Sequence, residues 1–135
     1  MIDEINKEIE KFLSSIVNNK KNINSIMKKS STSISDDLKK GHITSNVCMV
    51  AASILKLNPK DLAEALKTRL EKIDKFDNVE VAGPGFVNIS LHRKDFVSTI
   101  KFINNNKDSY GSSDIGKKNK VQIEFVSANP TGPLH

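Results

Sequence analysis

The 135-residue chain has no tryptophan, one tyrosine and one cysteine. With aromatics so scarce, its core has to be assembled from Ile, Leu, Val and a few Phe. The single thiol, Cys48, has no partner for an internal disulfide, which suits a reducing compartment. Among apolar neighbours at helical spacing it reads as a small core residue. No apolar run approaches the roughly 18 residues that a membrane span needs. Asp3, Glu4, Glu8 and Glu10 near the start fit neither a secretory signal nor an acid-poor transit peptide. The chain also lacks a P-loop, a G-x-G-x-x-G stretch, a Ser-His-Asp set and any His or Cys spacing that makes a metal site.

What is present is a basic, Lys- and Asn-rich chain of modest apolar content. Hydrophobic residues make up 37% and the net charge is +5. The surplus is uneven, with Arg93, Lys94, Lys101, Lys107, Lys117, Lys118 and Lys120 set against Asp95, Asp108 and Asp114. Such a surface favours polyanions, and the basic run can follow a phosphate backbone or simply be solvated.

Apolar periodicity orders the chain. Ile2, Ile5, Ile9, Phe12, Leu13, Ile16 and Val17 recur at three- and four-residue steps and predict one amphipathic helix ending at Asn18-Asn19. Residues 22 to 34 are polar and predict one short strand, followed by a Ser-rich loop that Gly41 closes. A second helix is expected from Thr44 or Ser45. Asn58-Pro59-Lys60-Asp61 predicts a third, with Asn58 as cap, Pro59 in the first turn and Asp61 at the positive end of the dipole. Val79 to Ala82 and Phe86 to Leu91 alternate around Gly83-Pro84-Gly85 and predict a hairpin. A fourth helix is expected near Lys94 to Asn104, with Phe96, Val97, Ile100 and Ile103 inward. Residues 104 to 120 read as a linker, and Val121 to Val126 as a strand that packs on its own domain or a neighbouring chain.

The sum is an α+β, two-layer domain, with a small antiparallel sheet packed on helices. Three strands make a thin sheet, so a fourth is expected within 22 to 35. In the strand from Phe86 to Leu91, Val87, Ile89 and Leu91 should face the core. Phe86 and Asn88 then face outward. That pairing suits an unstacked base, the ring giving a stacking face and the amide reading an edge. His42 and His92 read as a loop residue and a helix-start residue.

Three segments resemble arginyl-tRNA synthetases, in that family's order. They are Gly41-His-Ile-Thr-Ser-Asn-Val-Cys-Met49, Val81-Ala-Gly-Pro-Gly-Phe-Val-Asn-Ile89, and Tyr110-Gly followed by Lys120-Val-Gln-Ile-Glu-Phe-Val-Ser-Ala-Asn-Pro-Thr-Gly-Pro-Leu-His135. The third is the most specific, and the family carries it just ahead of its ATP signature. One departure is His42, where the family usually has Asp; Thr44 or Ser45 can serve as the helix cap instead.

The resemblance implies that residues 1–115 form the N-terminal additional domain, which contacts the tRNA corner near the D-loop. Residues 116–135 would begin a Rossmann-like class I catalytic domain. Within it Glu124, Ser127 and Asn129 would bind arginine and His135 would bind ATP, which comes with Mg2+. Phe86 and Asn88 would contact tRNA. The family enzyme is several times longer, so the chain is expected to be inactive alone, part of a cytoplasmic, monomeric ligase. Two other readings remain: a free-standing RNA-binding module, and a domain that binds a protein partner through its first helix.

Overall fold

The computed structural model describes residues 1–116, 119–125 and 132. Five α-helices and four strands are placed among them. Helix α1 spans Ile2–Ile16, and its inward stripe of Ile5, Ile9, Phe12 and Leu13 is buried, as the periodicity predicts. Helix α2 spans Lys20–Lys29, where a strand and loop are expected. Its start is fixed by Asn19, whose side-chain oxygen accepts from the Lys21 and Asn22 amides. The residue read as a helix breaker is thus also a helix cap. Ile23 and Ile26, three apart, are the buried contacts of this otherwise polar helix.

Strand β1, Thr32–Ile34, falls within the stretch expected to hold a fourth strand. A short 3₁₀ turn at Leu38–Lys40 leads to β2, Ile43–Ser45. The second helix therefore begins later than expected, α3 running from Val47 to Leu55. Ser45 Oγ accepts from the Val47 amide at 3.4 Å, so the residue proposed as a cap does meet the helix start. Helix α4, Pro59–Leu70, starts as its sequence signal dictates, Asn58 Oδ1 accepting from the Lys60 amide at 2.9 Å.

The hairpin follows, with β3 at Phe76–Ala82 and β4 at Phe86–Leu91. The four strands form one antiparallel sheet in the order β1-β2-β4-β3. The long hairpin strand β4 is thereby central, and β1 and β3 form the edges. Gly85 in the turn has φ +130°, and a Cβ there would lie 3.0 Å from the Pro59 carbonyl oxygen. The hairpin tip is thus seated against the first turn of α4.

Helices α1 to α4 cover one face of the sheet. Ile5, Ile9, Leu13, Ile26, Leu66 and Leu70 meet Val79, Val87 and Ile89 in a single core. Each such fully buried side chain contributes about 1.5–3 kcal/mol relative to exposure. Cys48 lies in this core on α3, and burial pushes its thiol up to about 12. The two-layer α+β architecture read from the sequence is the one that forms.

Helix α5, Arg93–Asn106, departs from expectation. It buries no residue. Phe96, Val97 and Ile100, expected inward, are exposed. One face of the sheet is already covered by α1 to α4; of the stripe on α5, Phe96 meets His42 and Ile103 is half-buried. The sequence pattern gave its apolar stripe, not the surface to receive it.

Candidate nucleic-acid interface

The sheet has two unlike faces. Ile43, Ser45, Val79, Val87 and Ile89 point toward the helices and are buried. Alternation along the strands puts Thr44, Glu80, Phe86, Asn88 and Ser90 on the other face. Strand register brings Thr44 beside Asn88 from one neighbour and Glu80 beside it from the other. Phe86 is paired with the small Ala82, which leaves its ring uncrowded on that side.

Phe86 is 36% exposed, as an aromatic available for stacking has to be. Asn88 shares that face, yet it is only 7% exposed. An outward residue on an edge strand would be solvated. On this central strand Asn88 is flanked on both sides and along its own chain. Its Oδ1 accepts a hydrogen bond from Thr44 Oγ1 at 2.8 Å. Among the described residues the one sealed, unpartnered side-chain polar atom is Asp95 Oδ2. Across from Asn88, Glu80 Oε1 accepts from Asn78 Nδ2 at 2.8 Å. The face thus offers a ring, an amide, a carboxylate and hydroxyls across three strands.

His42 is more than a loop residue. Its Nδ1 accepts from the Leu91 amide at 3.0 Å, capping the end of β4. An imidazole that accepts through Nδ1 carries its proton on Nε2 when neutral. Its ring also meets Phe96 at 4.9 Å between centroids, the contact that ties the first turn of α5 to the sheet. Sequence reading missed this because the acceptor's partner is 49 residues away. His92 takes the helix-start place expected of it, with Nδ1 3.1 Å from Asp77 Oδ1.

The basic residues Arg93, Lys94, Lys101 and Lys107 are exposed along and after α5. Lys94 lies 3.4 Å from Asp74 and is therefore partly neutralised. Lys117 and Lys118 lie outside the described residues. A groove of about 480 Å³ lies between α1, β3 and α5, with Ile73, Phe76 and Leu91 in its lining. There the Lys75 ammonium, hydrogen-bonded to Glu4 at 2.8 Å, holds the Glu4 carboxyl below its usual range and is itself raised by that bond. Among the described residues no group of three or more His, Cys, Asp or Glu is placed to hold a metal ion. No described helix is long and apolar enough to cross a membrane.

The residues implied for arginine and ATP are distributed differently. Ser127, Asn129 and His135 lie outside the described residues. Glu124 is described and exposed. Residues 121–125 form no strand, and Val121, Ile123 and Phe125 are exposed rather than packed on the domain. A strand needs a neighbour, and among the described residues 121–125 pair with neither free edge of the sheet, β1 or β3.

The fold and this face define a small α+β module with one helix-covered and one open, polar-aromatic sheet surface. Comparison with known sequences gives it a family. The family model described as the arginyl tRNA synthetase N terminal domain matches residues 3–91, from the start of α1 to the end of β4. This chain belongs to that family. An arginine–tRNA ligase of Lawsonia intracellularis is 45% identical over 96 residues, covering 70% of this chain and 18% of that protein. Those of Caldanaerobacter subterraneus and Wolbachia pipientis are 43% and 45% identical over 96 and 95 residues, each covering 70% of this chain and 17% of theirs. The chain spans less than a fifth of the length of these curated relatives.

Proposed function

We propose that this chain is the RNA-contacting N-terminal domain of an arginine–tRNA ligase, and that the open face of its sheet meets a single unstacked tRNA nucleotide. The observation that carries this reading is Phe86. It is a part-exposed ring beside the Asn88 amide, on the sheet face opposite α1 to α4, in a domain whose family is that of the arginyl-tRNA synthetases. A ring face and an amide donor are what a splayed-out base needs for stacking and edge contact. The exposed basic residues along and after α5 supply attraction to phosphate that is independent of sequence.

In this reading residues 116–135 begin the catalytic domain of a cytoplasmic enzyme. Glu124, Ser127 and Asn129 are assigned to arginine, and His135 to ATP with its Mg2+, by resemblance alone. A carboxylate such as Glu124 can take a guanidinium in a two-pronged contact. Residues 1–135 hold no complete catalytic cleft in this reading, so the chain alone binds tRNA weakly and makes no arginyl-adenylate.

The test is a titration of tRNA(Arg) transcript into the chain at low salt, with Phe86→Ala alongside. Loss of one base stack costs about 1–3 kcal/mol, so affinity should fall at least fivefold while the melting temperature changes little. Equal affinity for the two proteins would remove the base contact from the reading.

A further inference from the structure

The charge of this chain is not spread evenly over its helices. α1, α4 and α5 each carry both signs. α2 carries Lys20, Lys21, Lys28 and Lys29 and no acidic residue. From Lys11 to Ser35 the chain holds five lysines and neither Asp nor Glu. All four lysines of α2 are exposed, and among the described residues none of them stands in an ion pair. Helix stability does not account for them all. Lys28 and Lys29 in the last turn complement the helix dipole, but Lys20 and Lys21 in the first turn oppose it. Lys21 and Lys28 are two helical turns apart and share one stripe, opposite the buried Ile23 and Ile26, with Asn24 and Ser25 between them. The stripe is about 10 Å long.

Strand register ties this helix to the open face of the sheet. Ser30 and Ser31 lead from α2 into β1. The Ser31 amide donates to Asn46 Oδ1 at 2.8 Å, and the Asn46 amide donates to the Ser31 carbonyl at 3.2 Å. Ser45 is the register partner of Val87, so Asn46 comes level with Phe86. The C-terminal end of α2 and the Phe86 ring therefore lie at the same end of the sheet, on strands about 10 Å apart. Between them the open face offers the Ser33 and Thr44 hydroxyls, which are register partners. On the β3 side it offers the Glu80 carboxylate, which repels phosphate. Asp36 and Asp37 follow the far end of β1, and Asp37 is engaged by Lys40 at 3.4 Å.

From this arrangement we infer that α2 is a phosphate-binding helix. Lys28 and Lys29 take RNA phosphates flanking the nucleotide on Phe86, Lys21 takes one further along, and the strand leaves the sheet over β1 rather than over β3. The inference rests on the reading of the open face as an RNA contact, and adds the direction of the strand and the cations that hold it. These contacts position the backbone and carry no base preference.

The experiment measures affinity of the full chain for tRNA(Arg) transcript across a series of salt concentrations. Each lost contact to a single-stranded phosphate makes the slope of log affinity against log salt shallower by about 0.7. Lys28→Gln with Lys29→Gln should therefore remove about 1.4 from the slope. Lys7→Gln with Lys72→Gln removes the same net charge from exposed positions set among acidic residues, and should leave the slope close to wild type. Lys21→Gln alone should remove about 0.7 without lowering the melting temperature, because that lysine opposes the dipole of its helix. A slope unchanged by the Lys28 and Lys29 substitutions, while Phe86→Ala weakens binding, overturns the inference and leaves the base contact standing. Equal loss in the control pair also overturns it, since net charge alone would then suffice. A shallower slope in the α2 pair together with an unaffected Phe86→Ala supports the phosphate contact and removes the base contact. Absence of tRNA binding by the unaltered chain at low salt overturns both.

Discussion

Gly85 allows a sharp test of how the hairpin is held. Replacing it with Ala places a Cβ 3.0 Å from the Pro59 oxygen and 3.1 Å from both the Pro59 carbonyl carbon and Cβ. Those atoms belong to the first turn of α4 and cannot swing aside. The backbone at φ +130° is moreover a conformation that side chains with a Cβ rarely adopt. Strain of that kind costs about 1–3 kcal/mol. Overpacking adds a similar amount, about 1–3 kcal/mol. Gly83 in the same turn gives the comparison. Its φ is +55° and nothing lies within 4 Å of its added Cβ. Gly83→Ala therefore carries only the left-handed penalty of about 1–2 kcal/mol. Against a domain stability of about 5–15 kcal/mol, Gly85→Ala should remove a large share and Gly83→Ala a small one. The chain has no tryptophan, so urea unfolding is followed by far-UV circular dichroism rather than intrinsic indole fluorescence. Loss of equal stability in the two variants, within about 0.5 kcal/mol, would refute the close seating of the hairpin tip on α4.

Two further outcomes follow from polar contacts. His42→Ala removes the acceptor of the Leu91 amide and the ring under Phe96; stability should fall by about 1 kcal/mol, and hydrogen exchange at Leu91 should quicken with the first turn of α5. Unaltered exchange at Leu91 would show that the bond is not formed in solution. The Glu4–Lys75 pair gives a signed pH dependence. Glu4 is depressed below the ordinary carboxylate value, first by the Lys75 hydrogen bond, so its contribution is present above that ordinary value and lost as pH falls through the lower, folded value. The raised Lys75 contributes below 10.5 and loses that contribution as pH rises through its folded value. Melting temperatures of wild type and Glu4→Gln should therefore converge in acid and at high salt, because the pair is exposed. A gap that persists unchanged down to about pH 3 would show that Glu4 acts by packing and not by charge.

Much of this fold is legible in the residues. The stripe of α1, the Asn58-Pro59 start of α4 and the alternation of the hairpin are local signals, and each produced the element it predicts. So did the division of β4 into an apolar and a polar side. The misreadings share a cause. α2 is a polar helix that exists through its Asn19 cap and two buried isoleucines. β2 is three residues long and forms because β1 and β4 pair with it on either side. Neither has a pattern long enough to be read without its neighbours.

The sequence alone settled the family motifs, the two-layer class and which face of β4 Phe86 and Asn88 would occupy. Those follow from short-range rules: side chains alternate in a strand and repeat every three or four residues in a helix. Only the tertiary structure decided that β4 is central, that Asn88 is enclosed and bonded to Thr44, that His42 caps a strand 49 residues away, and that the stripe on α5 stays uncovered. Those outcomes depend on which surfaces are already taken when distant segments meet, and no local pattern carries that information.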